Sequence, residues 1–325
     1  MLKIFLLVFS LMINFSVVNA MTEWHLPQEG LQLEGKAKQD YIKSRMDVIF
    51  KRTPGESHPF SKFETPTGWE YKKFEVDGVK VESLENPSAK TDRVILNLHG
   101  GGYVLPLDNG YRNFGFIQGV LTDAEKIFLV DYRTAPKYVY PAALEDAVKV
   151  YKEILNRGTN PKNIIVTGDS AGGNLALELS IYLKENKIPQ PKCLILLSPW
   201  ANAENNLPSR KYNATRDLIL GQGTPLHESI KNPVYAKGFK KNNPSLSPIY
   251  ADLKNLPPML IQVGSYEMFL DECFELAKKA TADNVKVVLS VYPEMSHDFA
   301  LLLPELQESV DSFREIKYFV EELER

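Results

Sequence analysis

From residue 71 onward, short apolar runs alternate with longer stretches in which apolar residues recur at helical spacing. The short runs are rich in Val, Ile and Leu, which is typical of buried strands. They cover residues 93–98, 127–131, 163–167, 193–197, 259–263 and 285–291. The helical stretches cover residues 142–156, 173–186, 271–280 and 305–323. Uninterrupted apolar strands separated by helices predict an α/β fold with a mostly parallel central sheet flanked by helices on both faces.

Three segments depart from this alternation. A hairpin is predicted around Asp77-Gly78, because short alternating segments flank a dipeptide that favours a tight turn. Residues 21–70 precede the sheet and have a helical pattern, with loops near Pro54 and Pro66. Residues 200–250 are polar, rich in Lys and Asn, and contain no strand pattern. An insertion of this length after a strand commonly forms a lid or a pocket wall.

Residues 1–20 have the three-part pattern of a secretory signal peptide. A positive charge near the start is followed by an almost wholly apolar stretch, and small residues then occupy the cleavage positions at 18–20. The apolar stretch is short for a membrane span. We therefore expect cleavage after Ala20 and export to the periplasm or the medium. An uncleaved anchor and a translation start at Met21 are the alternatives.

The composition excludes several classes of protein. The chain has 325 residues, of which 44% are hydrophobic and 24% charged, as in ordinary globular proteins. Its formal net charge of −3 provides no overall attraction to nucleic acid, and we expect no stable membrane insertion after signal cleavage. The two cysteines, Cys193 and Cys273, are expected as buried apolar residues, although export would permit a disulfide. Asn213 begins a glycosylation sequon, which matters only in a host that glycosylates.

The strongest chemical signal is the sequence Gly168-Asp169-Ser170-Ala171-Gly172. A buried strand leads into it, and a helix pattern follows. This context is typical of a nucleophile elbow, in which a sharp turn exposes the serine at the edge of the sheet. Chance occurrence of Gly-x-Ser-x-Gly in a loop is the alternative, and the flanking strand and helix argue against it. Ser170 is therefore the candidate nucleophile.

A second glycine-rich motif, His99-Gly100-Gly101-Gly102, follows the first parallel strand. Glycines allow backbone N–H groups to turn toward a bound oxyanion without interference from side chains. We expect the amides of Gly100 and Gly101, together with that of Ala171, to form an oxyanion hole. A phosphate-binding loop is the alternative, but no Gly-Lys-Ser/Thr follows. His99 is expected to have a structural role, its ring forming a hydrogen bond that fixes the loop.

A nucleophilic serine needs a base, and the base needs an orienting carboxylate. His297 follows the last strand, at the edge of the sheet where Ser170 emerges, and is the candidate base. Glu267 and Asp271 follow the preceding strand. Glu267 lies in the loop itself and is the better candidate acid, whereas Asp271 begins a helix pattern and is expected as its N-cap. The remaining histidines lie in other segments: His25, His58 and His227.

These motifs together resemble the hormone-sensitive-lipase-like family of α/β-hydrolases, which is known mainly for bacterial esterases. Residues 99–102 and 168–174 match its two hallmark motifs, and further similarity is present at residues 131–136, 141–146, 197–200 and 256–258. The similarity covers roughly residues 70–325. One position departs from the pattern: the family's usual acid is Asp in Asp-Pro-Leu, whereas this chain has Glu267-Met268-Phe269.

The resemblance implies an α/β-hydrolase domain at residues 71–325, with a helical cap from residues 21–70 and the insertion at 200–250. It implies a serine carboxylic-ester hydrolase that acts on a small-molecule ester through an acyl-enzyme. No cofactor is expected, and no zinc-protease motif is present because His227-Glu228 lacks a second histidine four residues on. Lactone or acetyl-ester hydrolysis, amide hydrolysis, acyl transfer and an inactive ligand-binding protein remain as alternatives. The polar insertion predicts short acyl chains, of roughly eight carbons or fewer, rather than an interfacial lipase.

Overall fold

One eight-stranded sheet organises the computed structural model, which describes residues 22–50 and 62–325. Its strands are β1 (Glu70–Val76), β2 (Val79–Glu85), β3 (Val94–Leu98), β4 (Lys126–Asp131), β5 (Ile164–Asp169), β6 (Cys193–Leu197), β7 (Met259–Gly264) and β8 (Val287–Tyr292). They are arranged in the order β1-β2-β4-β3-β5-β6-β7-β8. Strand β2 pairs antiparallel with β1 and β4, and all other pairs are parallel. The predicted, mostly parallel sheet is confirmed.

Nine α-helices surround the sheet in the described part of the chain. They are α1 (Gly35–Phe50), α2 (Asn109–Thr122), α3 (Ala142–Asn156), α4 (Ser170–Glu185), α5 (Ser209–Tyr212), α6 (His227–Lys231), α7 (Leu270–Ala282), α8 (Phe299–Leu302) and α9 (Gln307–Glu322). Every residue of β3, β5, β6 and β7 is buried, so both faces of the central sheet are covered. This explains why these strands appear in the sequence as unbroken apolar runs rather than as alternating ones.

The segments outside the central sheet follow the predictions in part. The hairpin is confirmed, since Val76 pairs with Val79 across Asp77-Gly78. The insertion at 200–250 contains no strand; it holds α5, α6 and two short 3₁₀ turns. Of the helical pattern predicted over 21–70, the described residues are helical only in α1, and Pro54 lies outside the described residues.

Helix α1 packs against the loop that follows β8. Lys38 is buried, and its Nζ lies 2.5 Å from Glu308 Oε1 and 3.4 Å from both the carbonyl oxygen of Pro293 and Glu294 Oε2. The side-chain amide of Gln39 donates to the carbonyl oxygen of Glu294 at 2.9 Å. The N-terminal helix therefore holds the backbone immediately before residues 295–297.

The structure also bears on the predictions for the signal peptide, the two cysteines and the glycosylation sequon. The predicted signal peptide, residues 1–20, lies outside the described residues. Within the described residues, no helix is long and apolar enough to cross a membrane. Cys193 and Cys273 are free and fully buried, as expected of apolar residues. Asn213 is fully buried, and its amide donates to the carbonyl oxygens of Ser265 and Glu267, so the folded sequon has no room for a glycan.

Candidate active site

Ser170 occupies a sharp turn between β5 and α4. Strand β5 ends at Asp169 and the helix begins at Ser170, whose φ of 49° lies in the left-handed region. A Cβ on Gly172 would lie 1.9 Å from the carbonyl oxygen of Leu98, and one on Gly168 would lie 2.3 Å from the carbonyl oxygen of Gly172. Only glycine fits at these two positions, because backbone would occupy the space of any side chain. The strand–turn–helix context predicted for the elbow is present, and the helix starts three residues earlier than predicted.

The imidazole of His297 lies between Ser170 and Glu267. Its Nε2 is 2.8 Å from Ser170 Oγ, and its Nδ1 is 3.1 Å from Glu267 Oε2. All three residues are buried, and Ser170 is the most accessible, at 6% exposure. The ring of Phe269 packs edge-on against the imidazole, with centroids 4.7 Å apart. The three residues proposed from sequence are therefore brought together in the order serine, histidine, carboxylate.

Glu267 is fixed by hydrogen bonds to the last residue of β7 and to the residue that follows β6. Its Oε1 accepts hydrogen bonds from the amide of Gly264 at 2.5 Å and from the hydroxyl of Ser198 at 2.7 Å. Burial outweighs the opposing effect of His297 and raises the pKa of Glu267 to about 7. These bonds leave Oε2 directed at His297, so the carboxylate orients the imidazole ring and determines which nitrogen carries the proton.

Asp271, the alternative acid, contacts the insertion instead of His297. Its Oδ2 accepts from the amide of Ser209 at 2.7 Å, and its Oδ1 accepts from the hydroxyl of Tyr212 at 2.9 Å. Helix α7 begins at Leu270, after Phe269, so Asp271 lies inside the first turn and the predicted N-cap is wrong. The carboxylate supports the start of α5 because that helix offers it an unpaired amide.

One of the three predicted oxyanion-hole amides is already engaged. The amide of Gly100 donates to Asp169 Oδ1 at 3.0 Å, so the structure contradicts its assignment as a free donor. Asp169 thereby holds the glycine loop against the elbow. Within residues 22–50 and 62–325, the amides of Gly101, Gly102 and Ala171 donate no hydrogen bond to a side chain or to loop backbone. Gly101 and Gly102 have φ values of 93° and 63°, which explains the glycines at these positions.

His99 has the structural role expected of it. Its Nδ1–H donates to the carbonyl oxygen of Gly100 at 2.8 Å, and its ring stacks on Tyr132 with centroids 4.1 Å apart. Burial lowers the pKa of His99, which keeps the ring neutral. Of the other histidines, His227 bonds the carbonyl oxygen of Leu220 at 2.9 Å and His58 lies outside the described residues.

Asp298 is a second carboxylate beside the imidazole that the sequence reasoning missed. Its Oδ2 lies 3.0 Å from His297 Nε2, the same nitrogen that faces Ser170. Burial would lower the pKa of His297, but Asp298 and Glu267 together raise it well above the ordinary value. Adjacency to the candidate base was the only available signal for Asp298 in the sequence. Asp298 has a left-handed backbone, with a φ of 52°.

No cluster of three or more His, Cys, Asp or Glu side chains within the described ranges is arranged to hold a metal ion. A cavity of about 10 Å³, enough for one water molecule, lies against Asp169, Ser198 and Asp298.

Comparison with known proteins places this geometry among ester-cleaving enzymes. Residues 95–301 match a family described by its α/β hydrolase fold. An esterase of Acinetobacter venetianus is 32% identical over 252 residues, which cover 76% of this chain and 80% of that protein. An acetyl-hydrolase of Streptomyces hygroscopicus is 32% identical over 222 residues, which cover 68% and 73%. The crystal structure of an esterase from the bacterial hormone-sensitive lipase (HSL) family superposes with a TM-score of 0.79 at 28% identity, covering 90% of this chain and 99% of that one.

Proposed function

The chain belongs to the α/β-hydrolase family and is a carboxylesterase-type hydrolase, and we propose that Ser170, His297 and Glu267 are its catalytic triad. The observation that carries the proposal is the unbroken series of contacts from Ser170 Oγ through both ring nitrogens of His297 to Glu267. A nucleophile, a base and an orienting group in this arrangement define acyl transfer through a covalent intermediate.

The first half of the reaction forms the acyl-enzyme. Ser170 Oγ attacks the ester carbonyl carbon while His297 Nε2 takes the hydroxyl proton. Glu267 accepts the Nδ1–H and stabilises the imidazolium that results. The imidazolium then donates the Nε2 proton to the leaving oxygen, and the alcohol departs. In the second half, water repeats the attack on the acyl-enzyme, His297 again takes and returns the proton, and the carboxylic acid is released.

Backbone amides stabilise the tetrahedral intermediates. We assign this role to Gly101 and Ala171, as predicted, and to Gly102 in place of Gly100, whose amide is bonded to Asp169. Removal of one such donor typically costs about 10²–10³-fold in kcat. Asp169 is then a positioning residue, because its carboxylate fixes the loop that presents the donors.

The test of the nucleophile is Ser170→Ala, with the exposed Ser88→Ala as a matched control. Ser170→Ala is expected to lower kcat for p-nitrophenyl butyrate by at least about 10⁴-fold with an unchanged melting temperature, and Ser88→Ala to leave both unchanged. Phenylmethanesulfonyl fluoride should add one sulfonyl group, located on Ser170 by mass spectrometry. A Ser170→Ala variant that retains activity, or labelling at another residue, would contradict the assignment.

The substrates proposed are soluble esters with short acyl chains, of roughly eight carbons or fewer. The observation that supports a small site is the burial of Ser170, which is only 6% exposed. Acetyl-ester hydrolysis is the second candidate, because the Streptomyces hygroscopicus relative is named an acetyl-hydrolase. The insertion at 200–250 is less polar on its surface than its sequence predicts. Four of its apolar side chains are at least 40% exposed: Tyr212, Val234, Phe239 and Tyr250.

A series of p-nitrophenyl esters from acetyl to palmitoyl tests the acyl-chain proposal. Each added methylene gains about 0.8 kcal/mol while the pocket has room, and the gain reverses once the pocket is full. We expect kcat/KM to peak at acetyl, butyryl or hexanoyl and then to fall. A maximum beyond roughly twelve carbons, or activation by emulsified triglyceride, would identify a lipase with a larger site.

We further propose that residues 1–20 direct export and are removed, and that α1 and the insertion at 200–250 cap the active site. The signal pattern supports the first proposal, and the contacts of α1 with the loop before His297 support the second. Expression with the native N-terminus, followed by N-terminal sequencing of the extracytoplasmic protein, is expected to give Met21 as the first residue. Retention of Met1 would contradict export by cleavage.

A further inference from the structure

Asp298 lies where the reaction handles its proton. Its Oδ2 is 3.0 Å from His297 Nε2, the nitrogen that takes the proton of Ser170 and returns it to the leaving oxygen. The Asp298 side chain is 10% exposed, and its second oxygen, Oδ1, is buried without a hydrogen-bond partner among the described residues. The cavity of about 10 Å³ against Asp298 has room for one water molecule that can donate to Oδ1, whereas the negative charge of the carboxylate favours a cation.

The charged groups around Asp298 and His297 in the described chain are carboxyl groups. The carboxyl groups near the imidazole are those of Glu267 on the loop after β7, Asp217 on the insertion, Asp169 at the end of β5 and Asp298 itself. Apart from His297, their hydrogen-bond partners in the described chain are backbone amides and hydroxyl groups. No Lys or Arg of residues 22–50 and 62–325 forms an ion pair with any of the four. Among the described residues, the protonated imidazole is the only positive charge in contact with this group.

This arrangement opposes catalysis in the free enzyme. A base must be neutral at Nε2 to accept the Ser170 proton, whereas a carboxylate 3.0 Å away favours the protonated ring. A positive charge brought by the substrate would change this, because it would replace the imidazolium as the partner of Asp298. The ring could then lose its proton and act as the base.

We propose that Asp298 is a specificity-determining residue that selects esters with a cationic group in the alcohol part, such as the esters of amino alcohols and quaternary ammonium alcohols. The alcohol side is favoured over the acyl side because the leaving oxygen must approach Nε2, the atom that Asp298 touches. Because Oδ1 is buried, the carboxylate attracts such a cation by its charge and not by direct contact with this oxygen. Negatively charged alcohols are disfavoured by the same charges. The inference rests on the proposed ester hydrolysis at Ser170.

Three thioesters of butyric acid test the proposal, with the released thiol measured colorimetrically. Butyrylthiocholine carries a cation, S-(3,3-dimethylbutyl) thiobutyrate is its neutral isostere, and S-butyryl-3-mercaptopropionate carries an anion. For the wild type we expect kcat/KM to be at least about tenfold higher for the cationic than for the neutral thioester, and lower still for the anionic one. The cationic preference should shrink as sodium chloride is raised, but only in part, since a buried carboxylate is weakly screened.

Asp298→Asn tests the residue itself. Asparagine tolerates the left-handed backbone at this position and has the shape of aspartate, so the fold should be retained. We expect this variant to bring the ratio between the cationic and neutral thioesters close to one. Asp311→Asn, on the exposed side of α9, changes the net charge equally and should leave the ratio at its wild-type value. The wild-type ratio needs no variant, so it tests the proposal even where Asp298→Asn folds poorly.

The outcomes separate this inference from the function on which it rests. Hydrolysis of p-nitrophenyl butyrate with a wild-type ratio near one, or with a ratio that Asp298→Asn leaves unchanged, overturns the role of Asp298 while ester hydrolysis stands. A fall in the ratio for Asp311→Asn as large as that for Asp298→Asn also overturns it, because the preference would then reflect overall charge. Absence of hydrolysis of every ester refutes the proposed function, and the inference with it.

Discussion

The ring of Tyr235 in the insertion lies nearly parallel to the ring of Tyr103, with centroids 3.9 Å apart and 13° between their planes. Tyr103 directly follows Gly102, and its hydroxyl donates to Asn174 Oδ1 at 2.6 Å. Asn174 lies one turn after Ser170 on α4. The insertion therefore packs on the residue that ends the glycine loop, and the elbow helix holds that same residue.

We expect Tyr235→Ala to reduce both activity and stability. Loss of a buried aromatic ring costs about 3–5 kcal/mol of unfolding free energy, and the glycine loop would lose its contact with the insertion. The kcat for p-nitrophenyl butyrate should therefore fall at temperatures where the variant is still folded. Tyr235→Phe retains the stacked ring and should stay close to wild type. Equal losses in the two variants would show that the hydroxyl, not the stack, matters.

Isosteric substitutions of the two candidate acids should have very different effects. Glu267→Gln removes the charge that stabilises the imidazolium and should lower kcat by about 10³–10⁴-fold. Asp271→Asn alters contacts with Ser209 and Tyr212 and should leave kcat within a few fold of wild type. Steady-state kinetics of the two purified variants checks this. The reverse ranking would assign the acid to Asp271.

The pH dependence of kcat/KM follows from the charges around His297. Burial lowers its pKa, but Asp298 and Glu267 outweigh that effect and raise the pKa above the ordinary value of about 6.5. The protonated ring cannot accept the Ser170 proton, so activity should fall as the pH drops through this raised pKa. We expect the acid limb, measured by pH-stat titration with a neutral ester, to have its midpoint above pH 6.5. A midpoint clearly below that value would contradict the raised pKa.

Glu178 on α4 predicts a pH-dependent loss of stability. Both oxygens of this buried carboxyl are without hydrogen-bond partners in the described chain, and burial raises its pKa well above the ordinary value. Its contribution to stability is therefore fully present below the unfolded-state pKa. It declines as the pH rises from that value through the raised folded-state pKa, because only the unfolded chain can lose the proton readily.

Glu178→Gln removes this titration. At pH 5 its melting temperature should be close to that of the wild type, and at pH 8 the variant should be more stable by about 1–3 kcal/mol. Glu185→Gln, an exposed residue on the same helix, is the control and should show no such trend. Thermal melts of the three proteins at both pH values measure the effect. If the stability difference between Glu178→Gln and wild type does not grow with pH, the Glu178 carboxyl must have a hydrogen-bond donor or a cation beside it that stabilises its charged form.

The sequence predicts the central sheet and the nucleophile because their signals are local. Unbroken apolar runs identify the buried strands, and the seven residues around Ser170 contain the whole turn. His297 follows from the rule that the ends of parallel strands meet at one edge of the sheet. Glu267 could be preferred over Asp271 from its place in the loop, although only the structure reveals that Asp271 contacts the insertion.

Contacts between side chains far apart in the chain could not be predicted in this way. The bond between Asp169 and the amide of Gly100, which removes that amide from the oxyanion hole, joins residues 69 positions apart. Lys38 appears in the sequence as one more polar residue of an amphipathic helix, yet it is buried against Glu308. Asp298 adjoins His297, but no hydrophobic pattern encodes its left-handed backbone or its contact with Nε2.

The two free cysteines make the folded protein indifferent to the redox state of its surroundings. Cys193 in β6 and Cys273 in α7 are inaccessible, and burial raises the pKa of Cys193 to about 12 and that of Cys273 well above its ordinary value, so neither forms the reactive thiolate. The chain needs no oxidising compartment and no disulfide isomerase to reach its native state. Recombinant protein from a reducing cytoplasm should therefore have the same fold and activity as exported protein. It can be stored without a reductant. Thiol-reactive dyes added to the native enzyme would then report only thiols released from substrate.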